Sequence, residues 1–253
     1  MLMTLWDIFA VLLFGYPLPP EMLDPRFPAF LQRSGGLLLT GLISIISFSI
    51  GTGIGIVLGL CQRENPEELR EDKPGRFFAW VLRNAAKGIV VGIRSLPIML
   101  LILLVFYLPY PLAGLRYPGI VLAIAAFSLY AGVYLCEIMR AGLRSMDPRL
   151  RDVGQVLGLT PRQILFRIEL PLICRAMMPD IVNVAVTVFK DTSALAVVAV
   201  PELTYTARQM LMAEPLNYGI VLLIVLAYYW VPATILSAFA LHREQRRVRL
   251  EAL

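Results

Sequence analysis

A chain of 253 residues that is 58% hydrophobic and 16% charged, with mean hydropathy +0.72, is too apolar for a soluble domain, where apolar content is roughly 45–50%. Membrane spans are the first expectation, and the net charge of +5 matters by where it falls rather than by its total. The sequence holds no glycine-rich phosphate loop with its lysine, no H-E-x-x-H helix, no G-x-S-x-G elbow and no cysteine–histidine cluster. That argues against ATP hydrolysis, metal-assisted hydrolysis and serine-nucleophile chemistry by this chain.

Residues Leu5 to Tyr16 are apolar but short of the ~20 residues that a span takes. No basic leader or small-residue cleavage site marks a removable signal. With Trp6, Phe9, Phe14 and Tyr16, this stretch reads as a helix lying in the membrane interface. Prolines from Pro17 to Pro28 keep the chain irregular, so 1–36 is set apart as an N-terminal interfacial segment. The first span is expected at about Leu37–Leu60, with Gly41, Gly51, Gly55 and Gly59 forming a small-residue packing face. A polar segment, Arg63 to Lys87, precedes a second span at about Gly88–Tyr107 that contains Arg94-Ser95-Leu96-Pro97. Pro97 removes a backbone hydrogen bond there and predicts a kink.

The third span, about Pro118–Arg140, closes on Glu137-Ile138-Met139-Arg140, whose charges can snorkel at a membrane edge and serve structure. Next comes a polar, arginine-rich island, Asp147 to Pro171. Asp147-Pro148 is an N-cap with proline at the first helical position. Leu150, Val153, Val156 and Leu157 recur at helical spacing. Gly158 stops that helix. Thr160-Pro161-Arg162-Gln163 opens a second one with a capping box. Ile164, Leu165, Ile168 and Leu172 form its apolar face, and Pro171 is expected to end it. Two short helices on a glycine elbow are more than a bundle needs to turn round, and the island reads as a docking element.

Spans four and five are expected at about Ala176–Val200 and Tyr218–Leu241, with a basic tail over 242–253. Cys61, Cys136 and Cys174 have no metal or disulfide spacing and read as packing residues. His242, among arginines, reads as a wet surface residue. Placing the two-helix loop in the cytoplasm puts 6, 6 and 4 Lys/Arg on the inside (62–87, 141–175, 242–253) against 2, 1 and 1 outside (1–36, 111–117, 201–217). The bias orients the chain with the N-terminus outside and the C-terminus in the cytoplasm.

Within span four, Lys190-Asp191-Thr192-Ser193 places two charges where each costs about 2.5–3.5 kcal/mol at a helix centre. Neighbours on a helix point about 100° apart, so the two do not simply neutralise each other. Lys190 follows Arg175 by 15 residues, roughly 22 Å of helix, which sets the pair beyond the midplane. Asp191 needs a cation, and Arg94 is the expected partner within this chain, with a partner subunit as the other source. One reading makes the charges part of a passage for solute; the other makes them a structural network pinning span four.

These residues carry a resemblance. Asp152-Val153-Gly154, three residues, Gly158, nine residues, Ile168, one residue and Leu170-Pro171 match the spacing of the EAA loop of bacterial ABC-importer permeases, with Asp for Glu and Val-Gly for Ala-Ala. Lys190 to Ser193, followed by Val200-Pro201-Glu202-Leu203, resembles the K-D-T-S-L and V-P-E-L stretches of the polar amino acid uptake subfamily, although Ala194 stands at the usual leucine. Arg94-Ser95-Leu96-Pro97 resembles its R-G-T-P, and Glu137 to Gly142 its E-I-x-R-G-G.

The resemblance implies an all-α membrane protein of five transmembrane helices, an N-terminal interfacial helix and a cytoplasmic two-helix coupling loop. Its regions are 1–36, a transmembrane domain over 37–241 with the coupling loop at 147–171, and the tail. It implies coupling to an ATPase through Asp152, Gly154, Gly158, Leu159, Ile168 and Pro171, and a substrate pathway or gate at Arg94, Pro97, Lys190, Asp191, Thr192, Ser193 and Glu202. No catalytic or metal site is implied, and no cofactor in this chain, ATP being bound by the partner. Expected partners are two ATP-binding subunits, a second permease subunit (identical or sister), an extracytoplasmic solute-binding protein and the lipid bilayer, but no nucleic acid. The expected function is passage of a polar amino acid across the bacterial inner membrane. Another small organic solute is the alternative cargo, and an ion-coupled carrier the alternative class.

Overall fold

The computed structural model describes residues 5–15, 35–62, 76–114, 117–213 and 218–251, and the regular elements among them are helices joined by turns. They are α1 (Leu5–Phe14), α2 (Gly36–Cys61), α3 (Arg76–Arg94), α4 (Ile98–Tyr107), α5 (Pro109–Ala113), α6 (Gly119–Ser145), α7 (Pro148–Val156) and α8 (Pro161–Ile164). A π-helical turn (Leu165–Glu169), α9 (Leu170–Ala176), α10 (Met178–Asp191), a 3-10 helix (Thr192–Val198), α11 (Leu203–Ala213) and α12 (Tyr218–Glu251) complete the order. Tyr16, the prolines Pro17 to Pro28, the charged stretch 63–75 and residues 214–217 lie outside the described residues.

Among the described residues, four helical segments are long and apolar enough to cross a bilayer: Gly36–Cys61, Gly119–Ser145, Met178–Val198 and Tyr218–His242. Phe77–Arg94 and Ile98–Leu112 make a fifth crossing when taken as one broken span. The count of five therefore holds, but the continuous second span expected over 88–107 does not. Its helix starts twelve residues earlier, at Arg76, and breaks after Arg94. Pro97 takes φ −57° and ψ 138°, lacks an N–H to continue α3 and disfavours helix at the residue before it. Its carbonyl accepts from Leu101 N at 3.1 Å and starts α4. Ser95 Oγ closes the end of α3 by donating to the Val91 carbonyl at 2.7 Å.

The described residues cluster into two units. Unit one holds residues 1–49, 96–128 and 185–236; unit two holds 50–95, 129–184 and 237–253. In unit one, α1 is more than an interfacial float. Ile8 and Leu12, 1% and 0% exposed, pack with Leu203, Ala207 and Met210 of α11 and with Val221 and Ile224 of α12. The chain returns to α2 through a close approach of Gly15 and Gly35, and Gly36 N donates to the Pro201 carbonyl at 3.0 Å. Leu203 N, at the start of α11, donates to Thr40 Oγ1 at 3.2 Å.

Unit two is drawn together by small residues. A Cβ on Gly55 would stand 2.8 Å from Leu135 Cβ, and one on Gly132 2.7 Å from Ile54 Cγ2. The glycine face of α2 thus lets its backbone approach α6, as expected of small residues between membrane helices. Gly59 meets Met139 in the same way, whereas a Cβ on Gly41 would meet nothing within 4 Å. Val90, Val133 and Cys136 form the core, flanked by Leu58, Ile93 and Tyr134. Phe77, Phe78, Val81 and Leu82 of α3 are exposed while Ala86 and Val90 are buried, the apolar exterior expected of a lipid-facing helix. Of the cysteines, Cys136 is buried and Cys61 half-buried, but Cys174 is exposed and does not pack as expected.

Candidate coupling loop and intramembrane charge sites

The island between α6 and α10 folds largely as its sequence dictates. Asp147 is extended (φ −63°, ψ 121°), and its carboxylate accepts from Arg149 N at 2.9 Å, with Pro148 at the first helical position. At the other end of α7, Gly158 sits at φ +74°. Leu159 N donates to the Gly154 carbonyl at 3.0 Å and Gly158 N to that of Gln155 at 2.9 Å. This pair of bonds is the Schellman closure, which needs a left-handed residue at Gly158. Thr160 then makes the capping box: Gln163 N donates to Thr160 Oγ1 at 3.3 Å, and Thr160 N to Gln163 Oε1 at 2.8 Å.

One expectation for the loop is corrected. Pro171 does not end the second helix, which runs on to Ala176. The preceding turn widens into a π-turn in which Leu170 N donates to the Leu165 carbonyl. That shift of hydrogen-bond register comes just where the missing N–H of Pro171 would break an α-helical ladder. The stripe on and just after α7 stands bare: Val153, Val156 and Leu157 are 55%, 87% and 70% exposed. The contact with α8 is made instead by Gly154, where a Cβ would stand 2.8 Å from Ile164 Cγ1. Ile168 and Leu159 are half-buried, and Asp152 and Pro171 exposed. Phe166 and Leu172 are exposed as well, so the loop presents bare apolar side chains among arginines.

Sequence reasoning missed the ion pair inside this loop. Arg151 donates through Nε and Nη2 to Glu169 Oε1 at 3.0 and 2.8 Å, and the Glu169 side chain is 3% exposed. Nothing in the spacing of residues 151 and 169 announces it, because the turn of chain between them sets the pairing.

In unit two a polar cluster joins α2, α3 and α6. Arg94 pairs with Glu137 at 3.3 Å, so the structure gives this guanidinium a carboxylate other than Asp191, the partner expected. Arg140 pairs with the same Glu137 oxygen at 2.8 Å and reaches Gln62 Oε1 at 3.5 Å. Gln62 in turn donates to Cys136 Sγ at 3.4 Å. The Arg94 guanidinium lies 5.3 Å from the Tyr134 ring centroid, a cation–π distance. Glu137 and Arg140, read as structural from their place at a span end, thus hold Arg94 in position. Gln62 and Tyr134 were not foreseen, and neither carries a charge that would have singled it out.

In unit one, span four changes character at the charged motif. The α-helix ends at Asp191, Thr192 to Val198 form a 3-10 helix, and Ala199 closes it at φ +56°. Lys190 is exposed, Asp191 and Ser193 half-buried, and Thr192 buried with Oγ1 donating to the Phe189 carbonyl at 2.7 Å. Irregular backbone at membrane depth persists where protein or a cavity surrounds it. That is the local reason to keep this motif as a pathway candidate.

Glu202 stands differently. It is wholly buried, and its carboxylate accepts from Thr204 N, Tyr205 N and Tyr229 Oη at 2.8, 2.8 and 3.0 Å. It caps α11 with these bonds. Burial pushes its carboxyl from 4.5 up to about 7, against the pull of the two backbone N–H donors. The folded protein therefore keeps a proton that the unfolded chain releases, and stability falls as pH rises from 4.5 to about 7, with no further loss above. Glu202→Gln should flatten that slope in thermal unfolding of the detergent-solubilised protein; equal slopes for the two forms would remove Glu202 as its source.

Up to five membrane crossings among the described residues and a capped two-helix loop carrying a bare apolar face describe a multi-pass membrane protein. The particular family follows from comparison. Residues 73–249 match the family model of the binding-protein-dependent transport system inner membrane component, and the chain belongs to that family. It is similar to the L-cystine transport system permease protein TcyB of Bacillus subtilis, 29% identical over 224 residues that cover 88% of each chain. It is 32% identical over 173 residues to the probable glutamine ABC transporter permease protein GlnP of Bacillus subtilis, covering 68% of this chain and 73% of the relative.

Among solved structures, an amino acid ABC transporter crystallised with histidines matches with TM-score 0.69 at 20% identity, over 83% of this chain and 92% of that one. The MetNI methionine ABC transporter in an inward-facing conformation matches with TM-score 0.61 at 18% identity, over 82% and 96%. Both share the fold. The protein is a multi-pass component of the inner membrane, of a family that works with a binding protein.

Proposed function

We propose that this chain is the permease subunit of an ATP-driven importer that passes a polar amino acid into the cytoplasm, and that it performs no catalysis itself. The observation that carries the coupling is the bare stripe Val153, Val156 and Leu157 on a helix held rigid by an Asp147 cap and a Gly158 elbow. Movement of an ATPase seated there would enter the membrane domain through 147–171. The amino acid cargo rests on the relatives, whose names specify cystine, glutamine and arginine transport, and on the four motifs shared with polar amino acid permeases. Two ATP-binding subunits, which bind the ATP, would serve two permease subunits, with a solute-binding protein delivering cargo from outside. Arg94, Pro97, Lys190, Asp191, Thr192 and Ser193 are the proposed passage or gate, Glu202 supporting it from within the fold. Lysine and arginine asymmetry supports a cytoplasmic loop and C-terminus and an outer N-terminus.

The test uses one cysteine at Val156, in a chain whose three native cysteines are replaced. A membrane-impermeant thiol reagent should label it in inside-out vesicles and not in right-side-out ones, and the bound ATPase should protect it. Labelling from outside, or labelling indifferent to the ATPase, would overturn both orientation and docking. Uptake of radiolabelled glutamine, cystine and arginine by the reconstituted assembly then decides the cargo class, and transport of none of them would remove it.

A further inference from the structure

We infer that the Arg151–Glu169 ion pair is a positioning pair that carries motion of the first coupling helix into span four; this rests on the docking reading just given. Glu169 closes the π-turn and directly precedes α9, which leads through Met177 into α10 and its charged motif. Arg151 lies on α7, the helix whose Val153, Val156 and Leu157 stand bare. A contact of α7 with α8 is Gly154 against Ile164, which is apolar, and apolar contacts are non-directional. Two charge-assisted hydrogen bonds from one guanidinium to one carboxylate oxygen are short and angle-dependent, and so favour one direction of approach. A carboxylate buried as deeply as Glu169 must keep its cation, so displacement of Arg151 pulls Glu169 with it.

The surroundings fit a joint rather than a block. Residues 165–169 are π-helical, a widening that often marks functional positions in helices. A cleft of about 150 Å³ opens against the pair, with Arg144 and Asp147 on its wall. The pair thus borders open space between the α6–α7 junction and the π-turn, and is a directional link across it.

The decisive variant is Arg151→Gln with Glu169→Gln, which leaves no lone buried charge and so keeps assembly within reach. In the reconstituted complex, solute taken up per ATP hydrolysed should fall about tenfold, within the usual range of coupling between sites, while co-purified ATPase stays at the unaltered level. Glu169→Gln alone should lower the same ratio. An unaltered ratio in the double variant overturns the inference. Loss of bound ATPase along with uptake also overturns it, since the pair then only shapes the seat. The docking reading fails separately, through Val156→Asp: if that change leaves ATPase binding intact, the seat lies elsewhere whatever the pair does.

Discussion

Gly36→Ala is expected to loosen the N-terminal helix and to lower the thermal midpoint of the solubilised protein by several degrees. Two costs fall on one methyl group. Gly36 sits at φ +55°, where an L-residue loses about 1–2 kcal/mol. Its Cβ would also land on the carbonyl oxygen of Leu12, a backbone atom that no rotamer change can move aside. Relief requires α1 to shift, and α1 is held by Ile8 and Leu12 against α11 and α12, each burial being worth about 1.5–3 kcal/mol. Gly41→Ala, five residues on, is the control: it stays helical, and its Cβ meets nothing within 4 Å, so a small gain is expected. Thermal unfolding with hydrogen exchange over residues 5–14 separates the two. Equal stability of the two variants would show that α1 is not fastened at Gly36.

Which features were readable beforehand follows from how local their causes are. Asp147, Gly158 and Thr160 act on backbone groups within a few residues of themselves, so the cap, elbow and capping box could be seen in sequence. The spans were readable because bilayer thickness fixes their length. The break at Ser95–Pro97 was half readable: Pro97 announced a kink, while Arg76, Arg83 and Lys87 made 76–87 read as part of a polar segment and masked how early α3 begins. Pro171 misled because its missing N–H is absorbed by a π-turn, a register change with no residue signature. The burial of α1 was not readable at all. Leu5–Phe14 is too short to span, and only the distant residues Leu203, Met210 and Val221 reveal that it packs inward. Charge pairing was hardest. Arg94 had Asp191 and Glu137 on offer, and the choice of Glu137 depends on helix placement that spacing along one helix does not encode. At Gly154, where the motif has its second Ala, a side chain would collide with Ile164, which accounts for glycine there; Val153 is exposed and nothing in the structure explains it.

Gly158→Val should abolish most coupling while leaving the membrane bundle in place. A Cβ at Gly158 would meet nothing within 4 Å, so the effect is not a clash but the cost of φ +74°, about 1–2 kcal/mol for an ordinary residue and more for a β-branched one. To escape it the turn must abandon the bonds from Leu159 N to Gly154 and from Gly158 N to Gln155, and α7 and α8 are then re-aimed together. Converted to affinity, that strain alone corresponds to about fivefold to thirtyfold weaker ATPase binding, and uptake should fall at least in step. Gly158→Asn is the counterpart, because asparagine enters the left-handed region more readily than other side chains, and it should keep most of both activities. Membrane insertion should be equal in all three forms, since the elbow lies outside every apolar segment long enough to cross. ATPase co-purification and vesicle uptake, measured side by side, give the order glycine, asparagine, valine. If valine binds and transports as well as asparagine, the left-handed elbow does not set the docking geometry, and the exposed stripe on α7 must find its partner by some other alignment.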